Sequence, residues 1–376
     1  MSDPDGVVAI VMPKWGLSMK EGLIIEWFVS EGDTVAVGDE LAEVDTDKIN
    51  GEVEATSAGV IRRIVAGPGT KYRVQSLLAV LADASVDDAV IDEFIAGFPE
   101  PPEEVEGEEA ESAYDTVTVA GLQVRYSRVG EGSPVLLLHG FGGDLDNWLF
   151  NIGALAEHAS VLAVDLPGHG ESSLTIPDPS PEGLARFTWS VLDELGIHDV
   201  ALVGHSMGGA IASAMAIQQP DRVRSLALLA PAGFGPEINQ AYIDGFVAAR
   251  SKREMKDVAS TLFADSSAVT RTMIDGMLRY KRVDGVAPLL AELRDAWFIG
   301  GTQLVGLRDG LAELRKPVLV IWGADDRVIP ASHAAADSFA TVHVIDGAGH
   351  MVQMERANEV NRLLVSHLAE THDALT

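Results

Sequence analysis

The fold is decided by the stretch Val-Ala-Leu-Val-Gly-His-Ser-Met-Gly-Gly-Ala, residues Val200–Ala210. Its first four residues are apolar and rich in β-branched side chains, which predicts a buried strand. Small residues over Met207–Gln219 predict a helix, and Pro220 stops it. A serine in the spacing Gly-x-Ser-x-Gly lies at the sharp turn from strand to helix, where its hydroxyl projects above the sheet. We therefore predict that Ser206 is a nucleophile.

The composition limits what the chain can do. Its 376 residues carry a net charge of −30, which makes nucleic acids and anionic membranes poor partners. There is no cysteine, which excludes disulfides, thiolate metal sites and a cysteine nucleophile. The acidic N-terminus lacks the features of a signal peptide, and no apolar run approaches the roughly 20 residues that span a bilayer. A cytoplasmic protein of two domains is expected.

Residues 1–82 predict an all-β domain that repeats itself. Gly22 and Gly59, like several other matched pairs, lie 37 positions apart. Two similar four-stranded halves packed as a flattened barrel explain the matches. The joint between the halves places Lys48 at the tip of a hairpin, where it would be presented to a partner. The predicted strands are Val7–Met12, Leu23–Val29, Leu41–Val44, Val53–Ala55, Val60–Val65 and Leu77–Leu81.

Three motifs mark this domain. They are Met12–Gly22 (Met-Pro-Lys-Trp-Gly-Leu-Ser-Met-Lys-Glu-Gly), Gly32–Asp33 and Glu43–Lys48 (Glu-Val-Asp-Thr-Asp-Lys). Together they resemble the lipoyl domains of 2-oxo acid and acetoin dehydrogenase complexes. The related biotinyl domains present their lysine between methionines, whereas Asp47 and Ile49 flank this one. The resemblance therefore implies that Lys48 carries lipoate in amide linkage.

Residues 83–113 predict a linker. Twelve acidic residues and no lysine or arginine lie between Asp83 and Ser112. Apolar side chains at helical spacing predict one short helix over Asp87–Ala96, which Gly97 ends. Prolines and like charges then predict an extended, hydrated tether that would hold a carrier domain near a partner. A passive solubilising spacer is the alternative.

Residues 114–376 predict an α/β domain. Apolar runs alternate with helix-length stretches, which is typical of a mostly parallel sheet wrapped by helices. Active residues are then expected on loops beyond the carboxyl ends of the strands. The predicted strands are Val117–Val119, Val124–Arg128, Val135–Leu138, Val161–Val164, Val200–Val203, Leu226–Leu229, Val318–Ile321 and Val342–Ile345.

Five of the loops carry residues suited to catalysis. They are His139–Gly143, Asp165–Ser172, Gly204–Gly208, Trp322–Pro330 and Asp346–His350. In this order they resemble the α/β-hydrolase fold, which requires the chain order Ser…Asp…His. The resemblance implies that Ser206 attacks a carbonyl, that His350 is the general base, and that an aspartate orients the imidazole.

Two adjacent carboxylates, Asp325 and Asp326, compete for the third position. The family spacing Gly-x-x-Asp, counted from Gly323, selects Asp326. An oxyanion hole is expected from two backbone N–H groups, one from Met207 and one from Phe141 in the His-Gly loop.

Other histidines are interpreted as structural. His139 and His169 are expected to shape loops, because no second base is needed. His333 and Asp337 have the His-x-x-x-Asp spacing of lipoyl-type acyltransferases of a different fold. A serine replaces the glycine expected next, so we interpret the spacing as coincidence. No cluster of His, Asp and Glu has metal-ligand spacing, and no metal is expected.

Residues 236–306 predict a helical cap over the active site. Four helices are expected, Ile238–Ala249, Met255–Phe263, Val269–Tyr280 and Val286–Phe298. An insertion here sets substrate shape and water access in the α/β-hydrolase fold. Seven lysines and arginines between Lys252 and Arg282 could attract the phosphates of coenzyme A, or could simply form solvated helix faces.

A lipoyl domain, a short acidic tether and an α/β-hydrolase domain in one chain resemble the acetyltransferase components of acetoin-cleaving systems. The resemblance implies acetyl transfer from the S-acetyldihydrolipoyl group of Lys48 to coenzyme A through an acyl-Ser206. It also implies a thiamine-diphosphate-dependent dehydrogenase component and dihydrolipoamide dehydrogenase as partners, and a homo-oligomer. Two alternatives are a true hydrolase of thioesters, esters or C–C bonds with a lipoyl docking domain, and a non-catalytic lipoyl carrier.

Overall fold

The computed structural model describes residues 6–15, 19–46, 50–101, 114–303, 306–334 and 339–373. Four sets of residues singled out by the sequence lie outside these ranges: residues 16–18 of the Met12–Gly22 motif, Lys48 with its neighbours Asp47 and Ile49, the tether residues 102–113, and Asp337. The chain divides into two compact units, Met1–Glu111 and Ser112–Thr376.

The first unit is an eight-stranded barrel of two sheets, with strand orders β1-β8-β6-β3 and β5-β4-β2-β7. Its elements are β1 (Val8–Val11), β2 (Glu21–Trp27), β3 (Thr34–Val35), β4 (Glu40–Asp45), β5 (Asn50–Glu54), β6 (Gly59–Ile64), β7 (Lys71–Arg73), β8 (Leu77–Ala82) and helix α1 (Asp88–Gly97). All six predicted strands are confirmed. The sequence did not reveal β3 and β7, because strands of two or three residues are too short to show an alternating pattern.

The internal repeat is a property of the structure as well as of the sequence. Strand β2 pairs antiparallel with β4, as β6 does with β8. Each half also contributes one short strand to the sheet of the other half: β3 pairs with β6, and β7 pairs with β2. The matched residues Leu41 and Leu78 are both fully buried in the barrel core. The prediction of two similar halves is therefore confirmed.

Helix α1 packs on the barrel. Its Ile91 is fully buried and belongs to a small cluster with Val7 and Val80. An ion pair of 2.7 Å joins Arg62 on β6 to Asp88 in the first turn of the helix. The predicted short helix is confirmed, shifted by one residue, and its apolar side is buried against the β-domain rather than exposed along a free tether.

The second unit is built on one eight-stranded sheet in the order β18-β17-β14-β13-β11-β12-β10-β9. The strands from β18 to β12 are parallel, whereas β10 runs antiparallel to both of its neighbours. All eight predicted strands are confirmed, as β9 (Asp115–Val119), β10 (Leu122–Val129), β11 (Pro134–Leu138), β12 (Ser160–Val164), β13 (Val200–His205), β14 (Val223–Leu229), β17 (Val318–Gly323) and β18 (Thr341–Ile345). A short hairpin, β15 (Phe298–Ile299) and β16 (Thr302–Gln303), precedes the last two.

The helices of this unit fall into a group that packs on the sheet and a group that forms the cap. The first group comprises α2 (Leu149–Ala156), α3 (Pro181–Glu194), α4 (Met207–Gln218), α9 (Leu307–Ala312), α10 (Val352–Glu355) and α11 (Ala357–Asp373). The cap comprises α5 (Gln240–Ala248), α6 (Lys252–Ala259), α7 (Arg271–Lys281) and α8 (Val286–Trp297). Every residue of β13 is buried, so the central strand that leads to Ser206 lies inside the core.

The four cap helices are confirmed, with one correction. The region was expected to be helical throughout, but the last predicted helix ends at Trp297 and Phe298 enters the β15–β16 hairpin. Two-residue strands leave no alternating pattern in the sequence, so the hairpin could not be distinguished from the end of a helix.

Candidate active site

Ser206 lies at the turn from β13 to α4 in a strained backbone conformation. Its φ is 54° and its ψ is −116°, values that residues with a side chain rarely adopt and that cluster at functional sites. A Cβ on Gly204 would stand 2.4 Å from the carbonyl oxygen of Gly208, and one on Gly208 would stand 2.3 Å from that of Leu138. The Gly-x-Ser-x-Gly spacing is therefore a steric requirement of this turn.

The loop after β11 lies against Ser206. A Cβ placed on Gly140 would stand 3.1 Å from the Cβ of Ser206. Phe141 is the next residue in this loop. Met207 is the first residue of α4, and the first N–H groups of a helix have no acceptor within the helix. The two residues predicted to supply the oxyanion hole thus belong to segments that adjoin the serine.

His350 is paired with Asp326. Its Nδ1–H donates to Asp326 Oδ2 over 2.8 Å, and the side chain of Asp326 is fully buried. The other carboxylate oxygen accepts the N–H groups of Val328 (2.8 Å) and Ile329 (2.9 Å), which fixes the carboxylate in place. With its proton on Nδ1, the neutral imidazole keeps Nε2 available as a base. Asp325 is exposed, so the geometry favours Asp326 as the partner.

His205 ties the serine turn to the His350 loop. Its Nε2–H donates to the carbonyl oxygen of His350 over 2.9 Å, and the two rings lie 4.8 Å apart. Burial, and secondly the proximity of His350, lower the pKa of His205 well below its usual value, so the ring is neutral. His205 was not among the residues predicted from the sequence. Its place beside Ser206 in the motif was the only available signal.

His139 and His169 form hydrogen bonds with backbone groups. His139 donates from Nδ1 to the carbonyl oxygen of Gly140 (2.8 Å) and accepts the N–H of Leu166 at Nε2 (3.0 Å). Burial lowers the pKa of His139 to about 4 and that of His169 to about 3. Both rings are therefore neutral, and the predicted structural role of His139 follows from the use of both its nitrogens.

Trp322, at the end of β17, adds a donor to the buried carboxylate. Its Nε1 lies 3.1 Å from Asp326 Oδ2 and 3.1 Å from the carbonyl oxygen of Ile329. The ring of His333 meets Trp322 edge-on, and its Nε2 contacts Glu237 Oε2 at 2.7 Å. His333 is thus bound to a carboxylate of the cap region, which fits the interpretation of its His-x-x-x-Asp spacing as coincidence.

The cap covers the loop that adjoins Ser206. Phe246 of α5 and Phe298 of β15 each pack edge-on against Phe141, with ring centroids 5.8 Å apart in both pairs. Gly142, with a φ of +71°, lies so close to Phe246 that a Cβ there would stand 2.3 Å from the ring. Ser206 is 9% exposed, so access to its hydroxyl depends on the cap.

Two of the seven basic cap residues are engaged within the cap. Lys281 Nζ donates to the carbonyl oxygens of Phe246 and Ala249 and so secures the end of α5. Lys252 forms an ion pair of 2.6 Å with Asp275. These two lysines stabilise the cap, which leaves fewer of the seven side chains for a phosphate ligand.

Strands β4 and β5 form the hairpin predicted to present Lys48. The two strands pair antiparallel, and the last pair before the turn is Asp45 with Asn50. Lys48 occupies the connection between these paired residues, although it lies outside the described residues. The pairing fits a lysine presented at a hairpin tip, which is where a lipoyl group would be attached.

The described part of the chain lacks both a candidate metal site and a candidate membrane helix. No group of three or more His, Asp or Glu side chains there could hold a metal ion. None of the helices in it is both long enough and apolar enough to cross a membrane.

Both units match known families. Residues 8–81 match the family described as "Biotin-requiring enzyme", and residues 133–357 match the alpha/beta hydrolase fold. Over 364 residues the chain is 49% identical to the dihydrolipoyllysine-residue acetyltransferase component of acetoin cleaving system of Cupriavidus necator, covering 96% of this chain and 97% of that protein. The counterpart of Pseudomonas putida is 44% identical over 363 residues, covering 96% and 98%. The chain belongs to this acetyltransferase family.

The catalytic part of the acetyltransferase is also similar to hydrolases. A 2-hydroxy-6-oxo-6-phenylhexa-2,4-dienoate hydrolase of Comamonas testosteroni is 30% identical over 269 residues, covering 66% of this chain and 91% of that protein. A solved meta-cleavage product hydrolase of Pseudomonas fluorescens superposes with a TM-score of 0.62 at 25% identity, covering 68% and 97%. The predicted fold class, a lipoyl-type barrel followed by an α/β-hydrolase domain, is confirmed.

Proposed function

We propose that the acetyltransferase moves an acetyl group from a dihydrolipoyl thioester to coenzyme A, with Ser206, His350 and Asp326 as its catalytic triad. The observation that carries the proposal is the 2.8 Å pair of His350 and Asp326 held against the strained Ser206 turn. This arrangement supports acyl transfer through a covalent serine intermediate. The lipoyl-type barrel in the same chain supports a thioester as the donor.

The proposed triad moves one proton in each half of the reaction. Ser206 Oγ attacks the thioester carbonyl while His350 Nε2 takes its proton, and the N–H groups of Met207 and Phe141 hold the oxyanion. The C–S bond then breaks, and His350 returns the proton to the leaving thiolate. In the second half the thiol of coenzyme A attacks the acetyl-serine. The bond between the acetyl carbon and Ser206 Oγ then breaks, and the thiol proton passes through His350 to Ser206 Oγ, while Asp326 stabilises the imidazolium.

Lys48 is the proposed attachment point for lipoate. A lipoyl group bound there would supply the thiol that carries the acetyl group as a thioester. We assign residues 1–82 to the carrier domain, 83–113 to the connection and 114–376 to the catalytic domain, with its cap at 236–306. As a component of an acetoin cleaving system the protein has partner enzymes. We propose a thiamine-diphosphate-dependent dehydrogenase component and dihydrolipoamide dehydrogenase, with a homo-oligomeric acetyltransferase working in the cytoplasm.

A serine hydrolase is the second candidate function. The similarity of the catalytic domain to C–C hydrolases favours it, because the same serine, histidine and aspartate would serve both reactions. The two functions differ in the acceptor, which is water for the hydrolase and a thiol for the acetyltransferase.

The acceptor can be tested with the purified protein and free S-acetyldihydrolipoamide. We expect acetyl-coenzyme A to form when coenzyme A is present, and little acetate to form in its absence, because the proposed acceptor of the acetyl-serine is a thiol rather than water. Both products are quantified by chromatography, with a protein-free sample as the control for spontaneous hydrolysis. Acetate released at the same rate with and without coenzyme A would instead favour the hydrolase.

Asp326→Asn is expected to lower kcat by about 10⁴-fold, because an amide cannot orient the same tautomer of His350 or stabilise the imidazolium. Asp325→Asn is the matched control: it makes the same change one position away, at an exposed side chain, and is expected to leave kcat near the wild-type value. Acetyl-coenzyme A formation measures both. Equal losses in the two variants would contradict the assignment of Asp326.

A further inference from the structure

The segment Leu262–Ala264, between α6 and α7 of the cap, is bound directly to the loop that holds His350. The carbonyl oxygen of Leu262 accepts the N–H of His350 over 2.8 Å. Gly349 lies so close to the segment that a Cβ there would stand 2.7 Å from the backbone nitrogen of Ala264. The cap and the backbone of the proposed base are therefore in contact at this point.

Glu355 joins the same two segments through both oxygens of its carboxylate. Oε2 accepts the N–H of Ala264 over 2.7 Å, and Oε1 accepts the N–H of Gly349 over 2.8 Å. A carboxylate can accept on both sides, whereas the amide of glutamine presents one oxygen and one NH₂ group. Replacement by glutamine would leave one of the two N–H groups facing another donor.

The surroundings of Glu355 contain charges of both signs. Burial is the main cause of the raised pKa of Glu355, and the negative charge of Asp326 raises it further. The two N–H donors and the neighbouring Arg356 act in the opposite direction and lower the pKa. The guanidinium of Arg327 donates to the carbonyl oxygen of Ala264, so it also faces this junction. The two N–H groups donated to Glu355 favour its ionised form, which adds negative charge beside the loop of His350.

We propose that Glu355 is a positioning residue, which holds the loop of His350 against the cap and contributes a fixed negative charge to the surroundings of the base. The inference rests on the proposed function only in taking His350 as the general base. Because Glu355 bonds the cap with one oxygen and the His350 loop with the other, the orientation of the base depends on the placement of segment Leu262–Ala264.

The test compares Glu355→Gln with Glu355→Asp, and uses Glu359→Gln as the matched control. Glu359 is exposed and lies in the first turn of α11, so its variant loses the same charge without losing either contact. Each full-length variant is assayed for kcat/KM across pH with p-nitrophenyl acetate and with S-acetyldihydrolipoamide plus coenzyme A. The ester reaction requires only acylation of Ser206, so it reports on Glu355 even if coenzyme A is not the acceptor.

For Glu355→Gln we expect kcat/KM to fall about tenfold, because a buried N–H group loses its charged acceptor. We also expect the acid limb of the pH–rate profile to move down by about half a pH unit, because removing a negative charge disfavours the protonated base. Glu355→Asp keeps the charge but is too short to reach both N–H groups. Its rate should fall while its acid limb stays at the wild-type pH.

Three results would overturn the proposal. In the first, Glu355→Gln loses activity with an unmoved acid limb, which indicates a purely structural role. In the second, Glu355→Asp retains the wild-type rate, which shows that the double contact does not position His350. Glu355→Asp tests whether the double contact positions His350 even if Glu355→Gln fails to fold. A change in Glu359→Gln equal to that in Glu355→Gln would overturn the proposal as well, since it would trace the effect to charge alone.

Discussion

Replacing Ser206 with alanine is expected to lower the rate of acetyl-coenzyme A formation by about 10⁶-fold, the size of effect found when a serine protease loses its nucleophile. Alanine keeps the Cβ, so the strained turn at φ 54° is unchanged and only the hydroxyl is removed. Without Oγ no acetyl-serine can form. The residual rate would come from binding and from the oxyanion hole.

Intact-protein mass spectrometry gives a second measurement of the same prediction. Wild-type protein incubated with S-acetyldihydrolipoamide, without coenzyme A, should gain one acetyl group, and subsequent addition of coenzyme A should remove it. Ser190→Ala is the matched control, because Ser190 is an exposed serine on α3 that bonds only within its own helix. The Ser190 variant should behave as wild type. Acetyl-coenzyme A formation by Ser206→Ala at the wild-type rate would remove the serine from the mechanism.

Replacing Lys48 with arginine is expected to abolish acetyl transfer in the assembled system while leaving the reaction with free S-acetyldihydrolipoamide unchanged. Arginine keeps the positive charge but cannot form the amide linkage to lipoate. The proposed catalytic residues belong to the other compact unit and are untouched by the change. This separation of two activities distinguishes loss of the carrier from damage to the enzyme.

The control for the carrier is Lys71→Arg. Lys71 is an exposed lysine on β7 of the same barrel, paired with Glu21 at 2.6 Å. After expression in cells that attach lipoate, intact mass should show one lipoyl group on the wild type and on Lys71→Arg, and none on Lys48→Arg. A lipoyl group on the Lys48 variant, or full activity of that variant in the assembled system, would contradict the assignment.

The sequence predicted those parts of the structure that are determined by residues close together in the chain. The glycines around Ser206 are such a case, since the backbone approaches that exclude a Cβ at Gly204 and Gly208 act within a few residues. Strands long enough to alternate or to form an apolar run were all found. Strands of two or three residues, such as β3 and β15, were not, because their positions are determined by tertiary contacts rather than by their own sequence.

The details of the candidate site depend on residues far apart in the chain. Asp325 and Asp326 are adjacent; the family spacing favoured Asp326, and the folded chain places the carboxylate of Asp326 against His350. Glu355 resembles any other glutamate near a helix, because its contact with Ala264 spans 91 positions. A residue such as Glu355 can be recognised only in the folded structure, where backbone groups that are distant in the chain contact the same side chain.

The repeat within the barrel also bears on the number of lipoyl groups that the proposed modification would add to each chain. Lys48 follows the end of β4 by the same number of residues as Ser85 follows the end of β8, its counterpart in the other half. At this second position the chain does not turn back into a hairpin. The Ser85 hydroxyl donates to Asp83 Oδ1 over 2.6 Å, and the chain goes on into α1. With Lys48 as the proposed attachment point, one half of the duplicated barrel supplies the lysine and the other leads on into α1, so we expect one lipoyl group on each chain.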